Sequence, residues 1–380
     1  MTSLMAVSRE WQRRPPDERF LTLDSLRESV AERTRSAAVM EGDTKDITVS
    51  TAGDELFVRA GNFEDGKDTT ARFTNWSMGQ LATICGAPAG YLSRLPAAIA
   101  ADCLNHGIKT MQREKNLLLF TKNHTDEVTP QAEGNVVTLA RNVPNNVLRA
   151  VTSTSYGRIW DIQVVDSIIM MNIRANERWV VPAASYKSEE PKRATTIYGS
   201  DRDVFIFLCD PQHPIAVNGK PKFRGFYVYN SEVGSQVLGV ATFLYDCVCD
   251  NRIIWGVEGF VLMKRRHTSL APAWFMEEGQ GILDKYAESA ASREEEVIRK
   301  ANTIQLGSTP EDVLEFLTVK TNFGKRYAME AITYAERVEG NPTLLWNVVS
   351  GLTAVARNIP HTDTRVGYEI EAGRLLNMAA

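Results

Sequence analysis

Apolar positions along this chain are densest between Val204 and Met263. Val204 to Cys209 reads Val-Phe-Ile-Phe-Leu-Cys, an unbroken run with the length and composition of a strand buried on both faces. Asp210 to Pro221 holds three prolines and a glycine, so the chain turns there. Lys222 to Asn230 alternates in part. Lys222, Arg224, Phe226 and Val228 share one face, and Phe223, Gly225, Tyr227 and Tyr229 the other. Val237 to Val248 is a second long apolar run. Asp250-Asn251 signals a turn, and Arg252 to Met263 continues as a strand. Pro272 opens a helical pattern that runs to about Asn302. The expectation is an antiparallel meander of three or four strands backed by one long helix.

The flanking patterns are shorter. Trp11 to Phe20 is polar and proline-rich, an extended arm. Ser25-x-x-Glu28 forms a capping box ahead of a short amphipathic helix with Leu26 and Val30, running toward Ala38. Asp46 to Ala60 predicts one or two strands. Trp76 to Cys103 is helical, interrupted at Gly86-Ala87-Pro88. That pair has the outline of a helix-turn-helix, but its second helix offers little positive charge and reads better as packing. Leu117 to Thr121, Val136 to Ala140 and Leu148 to Ser153 predict strands. Ile159 to Ile173 has helical spacing despite its β-branched residues. The loops Lys122 to Asn135 and Ala183 to Ser200 are polar. From Thr309-Pro310-Glu311-Asp312 onward the chain predicts helices, one carrying Leu345, Val348, Val349, Leu352 and Val355. The fold class is therefore α+β. It divides into an N-terminal arm with short elements over 1–75, an α+β core over 76–263 and a helical region over 264–380.

Composition narrows the chemistry. Net charge is −4, so a nucleic-acid role needs a local cationic patch. Five cysteines in mostly apolar contexts predict reduced core thiols in a reducing cytoplasm, with no metal bound. No apolar run of membrane-spanning length and no leader-like core is present, which predicts a chain without a membrane association. Gly219-Lys220 is followed by Pro221, so no phosphate loop forms there, and no dinucleotide, zinc-protease or serine-hydrolase motif occurs. The carboxylates Glu232, Asp246, Asp250 and Glu258 have the chemistry for magnesium, yet turns and caps account for them more simply. Neither a catalytic residue nor a cofactor is predicted.

One chemical pattern remains. Lys222 and Arg224 interleave with Phe226 and Tyr227, and Lys264, Arg265 and Arg266 end the same predicted sheet. Cationic groups neutralise phosphates, and exposed rings stack unpaired bases at ~1–3 kcal/mol each. The competing reading makes the rings core and the cations guards of an edge strand. Arg149, Tyr156 and Arg158 are further candidates for the same interface.

At Tyr229-Asn230-Ser231-Glu232-Val233-Gly234, followed by Tyr245 to Asn251, the chain resembles the phage- and plasmid-borne DUF932 proteins of unknown function. The motif positions are Asn230, Ser231, Glu232, Gly234 and Asn251. Trp76-Ser77-Met78, Ala87 to Leu92, Arg149-Ala150-Val151 with Tyr156, and Leu345-Trp346-Asn347 fit as well. Asn251 is followed by Arg252 where that family often has glycine. The resemblance implies a mobile-element origin. The order of meander then helix is also similar to that of Rad52-like single-strand annealing proteins. The expected function is non-enzymatic binding of single-stranded DNA by a homo-oligomer, such as a ring. The alternative is binding to a host or phage protein. A metal-dependent nuclease using Glu232, Asp246 and Asp250 ranks last.

Overall fold

Two sheets, each with its own helices, build the molecule, and a helical bundle follows them. The computed structural model describes residues 19–61, 69–111, 115–122, 146–181, 197–217, 220–246, 251–254, 261–289, 292–356, 358–359 and 362–379. The predicted strand Val136 to Ala140, Cys247, Cys249, Asp250, Glu258 and nearly all of the predicted arm and polar loops lie outside them.

Strand β1 (Arg19–Phe20) leads into helix α1 (Leu23–Arg35). The Thr22 hydroxyl caps this helix by accepting from the Ser25 N–H at 3.1 Å, so it starts ahead of the expected box. It also ends before Ala38, because Ala37 already belongs to a strand. Strands β2 (Ala37–Asp43), β3 (Ile47–Ala52), β4 (Glu55–Ala60) and β5 (Thr69–Phe73) come next. Helices α2 (Asn75–Ile84), α3 (Ala89–Leu92) and α4 (Ala97–Thr110) precede β6 (Lys115–Lys122) and β7 (Asn146–Ser153). The strand order is β2-β6-β7-β5-β4-β3, antiparallel except where β5 meets β7. Leu81, Leu92, Leu104 and Ile108 join Val58, Leu118 and Leu148 in one core, so the interrupted helices pack on this sheet. Segments on either side of position 75 thus share a single sheet.

The second sheet contains the predicted meander. Helix α5 (Asp161–Arg174) precedes β8 (Ile197–Gly199), β9 (Val204–Cys209), β10 (Ile215–Val217), β11 (Lys220–Asn230), β12 (Leu238–Asp246), β13 (Asn251–Ile254) and β14 (Val261–Arg265). The order β1-β8-β9-β11-β12-β13 is antiparallel throughout. Of the last predicted strand, the described residues form β13 and β14. Both pair with β12, β13 over Phe243 to Asp246 and β14 over Leu238 to Ala241. Close approach is built in at Gly239, where a Cβ would lie 2.2 Å from the Tyr229 ring that covers it.

The long helix is interrupted. Helix α6 (Ala271–Trp274), a π-helical turn (Phe275–Gly279) and α7 (Gln280–Glu288) run in succession. Ser289 then turns extended, with φ −69° and ψ 153°, and α8 (Ser292–Ala301) starts afresh. A guanidinium from the sheet holds this break. Arg224 donates to the Ser289 carbonyl and, at 2.9 Å, to its hydroxyl. On one face of the sheet, Leu26 of α1, Val165 and Ile168 of α5, and Phe275 and Leu283 pack on Ile206, Leu208, Phe226 and Val228. The opposite face is aromatic, with Phe207, Phe223, Tyr227 and Phe243.

Helices α9 (Pro310–Lys320), α10 (Lys325–Val338), α11 (Leu345–Ala356) and α12 (Thr362–Leu375) complete the chain. At the expected helix start, Thr309 and Asp312 form a reciprocal cap. Leu317, Ala331, Trp346, Val349 and Leu352 make the bundle core, which reaches the sheet through Ile215 and Leu244. Among the described residues no helix is long and apolar enough to cross a membrane. Cys85, Cys103 and Cys209 are free thiols.

Candidate functional site

Two groups of predicted site residues separate in space. The first is the corner that follows β11. Asn230, Ser231 and Glu232 have no exposed surface, and Gly234 turns the chain at φ +84°, a backbone region that favours glycine. The polar groups of the corner reach several different segments. Asn230 Nδ2 donates to Ile159 O at 2.9 Å and to Asp161 Oδ1 at 2.8 Å. Ser231 Oγ donates to Arg202 O at 2.6 Å and accepts from the Ser235 N–H at 3.0 Å. Val233 O accepts from Trp76 Nε1 at 2.9 Å and Gln80 Nε2 at 2.8 Å.

Glu232 is the centre of this network. Its Oε2 pairs with Arg149 Nη1 at 2.9 Å, and its Oε1 accepts from the Asp161 N–H at 2.9 Å. Its carbonyl accepts from Arg158. Tyr156 donates its hydroxyl to Ser231 O at 2.8 Å and stacks on His267 with centroids 5.0 Å apart. Arg149, Tyr156 and Arg158 therefore belong with the motif residues. Asn251 does not join them. It lies in β13 opposite Asp246, at the far end of β12 from Gly239.

A bulge aims Arg149. In the β6–β7 ladder Leu119 pairs with Ala150 and Phe120 with Leu148, which leaves Arg149 as the extra residue. Leu148 stays in the core under α2 and α4, while Ala150 joins Leu119 and Val233 on the other side. The extra residue moves the side-chain alternation by one and sends the guanidinium to the corner. Its remaining nitrogens, Nε and Nη2, donate to Asp201 O at 3.2 and 2.6 Å.

The two buried carboxyls at the corner titrate in opposite directions. Burial pushes Glu232 up, but the charges of Arg149 and Arg33 and the hydrogen bonds it accepts prevail, so it is held below the usual range. Burial and the neighbouring Glu232 charge hold Asp161 well above it, against Arg33, Asn230 and Arg149. Asp161 is thus the member of the pair that takes up a proton more readily, and its Oδ2 lies 3.7 Å from Arg33. Burial also lowers His267 below its ordinary value. With Glu232 and Asp161 at 0% exposure, this chemistry holds β7, α5, α1 and the corner together.

Most of the predicted nucleic-acid residues are also interior. Phe226 has no exposed surface, and Trp179 and Tyr286 meet its ring edge-on at 5.0 and 5.9 Å. Tyr227 is buried between Phe207 and Tyr229, at 5.3 and 5.7 Å. Neither ring presents a face for a base, which corrects the expected stacking platform. Lys222 is buried, and Arg224 is engaged with Ser289, Glu294 at 3.5 Å and the Tyr286 ring at 4.6 Å. Arg149 and Arg158 are committed to the corner.

What remains outside is the end of β14. Met263 is buried, Lys264 and Arg266 are exposed, and Arg265 lies half-buried over the Trp274 ring at 4.8 Å. Among the described residues none of the three cations forms an ion pair. Leu270, just beyond, is 70% exposed. Of the residues proposed for a nuclease, Glu232 is in the corner, while the Asp246 side chain and Asp250 lie outside the described residues. Among the described residues no three His, Cys, Asp or Glu side chains gather as a metal site.

Arg33, Asp161, Gln80 and Arg202 were not legible as site residues, and Trp76 stood out only through the resemblance at Trp76-Ser77-Met78. Among the first four only Asp161 carried a signal, an acid in the first turn of a predicted helix. Comparison with known proteins finds no family model, no curated protein and no solved structure that matches this chain.

Proposed function

We propose that this chain is a non-enzymatic protein of the mobile-element kind that binds nucleic acid, single-stranded DNA first among its forms, in the host cytoplasm. The observation that carries the reading is the Lys264-Arg265-Arg266 run at the end of β14, whose outer members are exposed and without an ion pair among the described residues. Such a run neutralises phosphates and reads no sequence. The Asn230-Ser231-Glu232-Val233-Gly234 resemblance supports the mobile-element part. The test is a salt titration of binding to single- and double-stranded DNA. Affinity for single strands should fall with a log–log slope of about −0.7 per phosphate contact. Replacing Lys264, Arg265 and Arg266 together by Ala should flatten that slope by about 2. Absence of binding at ~50 mM salt overturns the proposal.

A second reading, docking to a host or phage protein, is favoured by one observation. Leu270 at 70% and Met276 at 53% exposure follow the cationic run within the same segment. Loss of a protein partner on Leu270→Asp, with DNA affinity absent in the parent, supports that reading instead.

A further inference from the structure

The six-stranded sheet treats its two edges differently. At β3, Asn105 of α4 takes both backbone groups of Val49. Its Oδ1 accepts from the Val49 N–H at 2.8 Å, and its Nδ2 donates to Val49 O at 2.8 Å. A side-chain amide carries a donor and an acceptor, so Asn105 ends the ladder in the manner of a further strand. Among the described residues, strand β2 at the other edge has no such cap. It pairs with β6 from Ala37↔Thr121 to Asp43↔Lys115 with no bulge. It contains no proline and, from Ala37 to Met40, no charge. Val39 is 42% exposed. Among the described residues, no backbone group from Ala37 to Gly42 bonds to any segment beyond the β6 ladder. Among the described residues, the usual protections of an edge are therefore missing over the middle of this strand.

Charge at the ends of β2 selects its partner. Arg35 precedes the strand, and Glu41 and Asp43 close it. A parallel copy would set acid beside acid. An antiparallel copy related by a two-fold axis at Val39 sets Val39 opposite Val39, Ala37 opposite Glu41 and Arg35 toward Asp43. The centre of such a pair is apolar and its ends are of opposite charge.

We infer that β2 pairs antiparallel with β2 of a second copy of this chain, joining two six-stranded sheets into one. The inference does not rest on the nucleic-acid reading. A two-fold contact closes at two copies, so the assembly is a dimer in place of the expected ring.

Light scattering on the eluting full-length chain tests it. The expected mass is about 85 kDa, twice the 42.4 kDa of one chain. Val39→Lys places two like charges face to face across the axis and should return the mass to that of one chain, with an unchanged circular-dichroism spectrum. A wild-type monomer at every concentration overturns the inference, as does a larger assembly or a dimer that survives Val39→Lys. Hydrogen exchange on the wild type decides the matter if the variant does not fold. Protection of the Ala37 to Gly42 amides that rises with concentration supports the pairing, and protection independent of concentration overturns it.

Discussion

Arg149→Met separates the two roles that Arg149 can have. Methionine keeps much of the stem and removes the guanidinium, and with it the bond to Glu232 at 2.9 Å and both bonds to Asp201 O. Glu232 then stays fully buried, with the Asp161 N–H as its remaining close donor. Removing one member of a buried ion pair costs ~3–5 kcal/mol, because the other charge loses its hydrogen-bonded partner, here with Arg33 left as the more distant counter-charge. An exposed pair would cost ~0–1 kcal/mol. Urea unfolding followed by tryptophan fluorescence and circular dichroism measures the difference. The expected result is a loss of ~3–5 kcal/mol with the denaturant slope unchanged. Glu232→Gln keeps Oε1 for the Asp161 N–H and removes the charge. The double variant should therefore cost less than the two singles together by ~0.5–3 kcal/mol. A stability within ~1 kcal/mol of wild type for Arg149→Met, combined with weaker DNA binding, would refute the corner as a structural anchor.

Other outcomes follow from burial and titration. Tyr227→Ala should destabilise the protein by ~3–5 kcal/mol, the cost of deleting a large buried ring, and should leave the DNA affinity of the folded fraction unchanged; equal stability with lost affinity would place Tyr227 at an interface. Asp161 has a folded pKa above its unfolded value, so it contributes stability at low pH that is lost as pH rises through the folded pKa. Glu232, held low, contributes stability present above its unfolded pKa and lost as pH falls through the folded one. Asp161→Asn should remove the first contribution and flatten the decline of the urea midpoint above the ordinary carboxylate range near 4; an identical decline in the variant would show that Asp161 is ionised in the folded chain. Gly239→Ala should disrupt β11 against β12, since its Cβ would meet the Tyr229 ring at 2.2 Å, and a variant of wild-type stability would count against that register.

Periodicity revealed most helices and the longer strands, because each buries a regular stripe, whereas β2, β5 and β8 were not read as strands. Val204 to Cys209, Ile159 to Ile173 and the Thr309 cap are cases in which local pattern and tertiary packing agree. The break at Ser289 was not legible, because an arginine 65 residues away holds it. The site was half legible. Asn230 to Gly234 stood out by resemblance, and Arg149, Tyr156 and Arg158 by residue type. That these form one buried network depends on contacts 74 to 83 residues apart. Alternation in β11 placed Phe226 and Tyr227 on opposite faces correctly, but both faces of that sheet are covered, so neither ring is free.

The Asn230 to Gly234 corner also has a kinetic meaning. Each sheet has its own apolar cluster, while the corner bonds to Trp76, Gln80 and Arg149 across separations of 157, 153 and 83 residues. Contacts that close such long loops are costly to form before the parts they join exist. The corner is therefore expected to set late, after both sheets have formed. Lesions there should leave the refolding rate nearly intact and hasten unfolding. The lifetime of the assembled chain would then depend on a few polar bonds at one turn more than on the extent of either core.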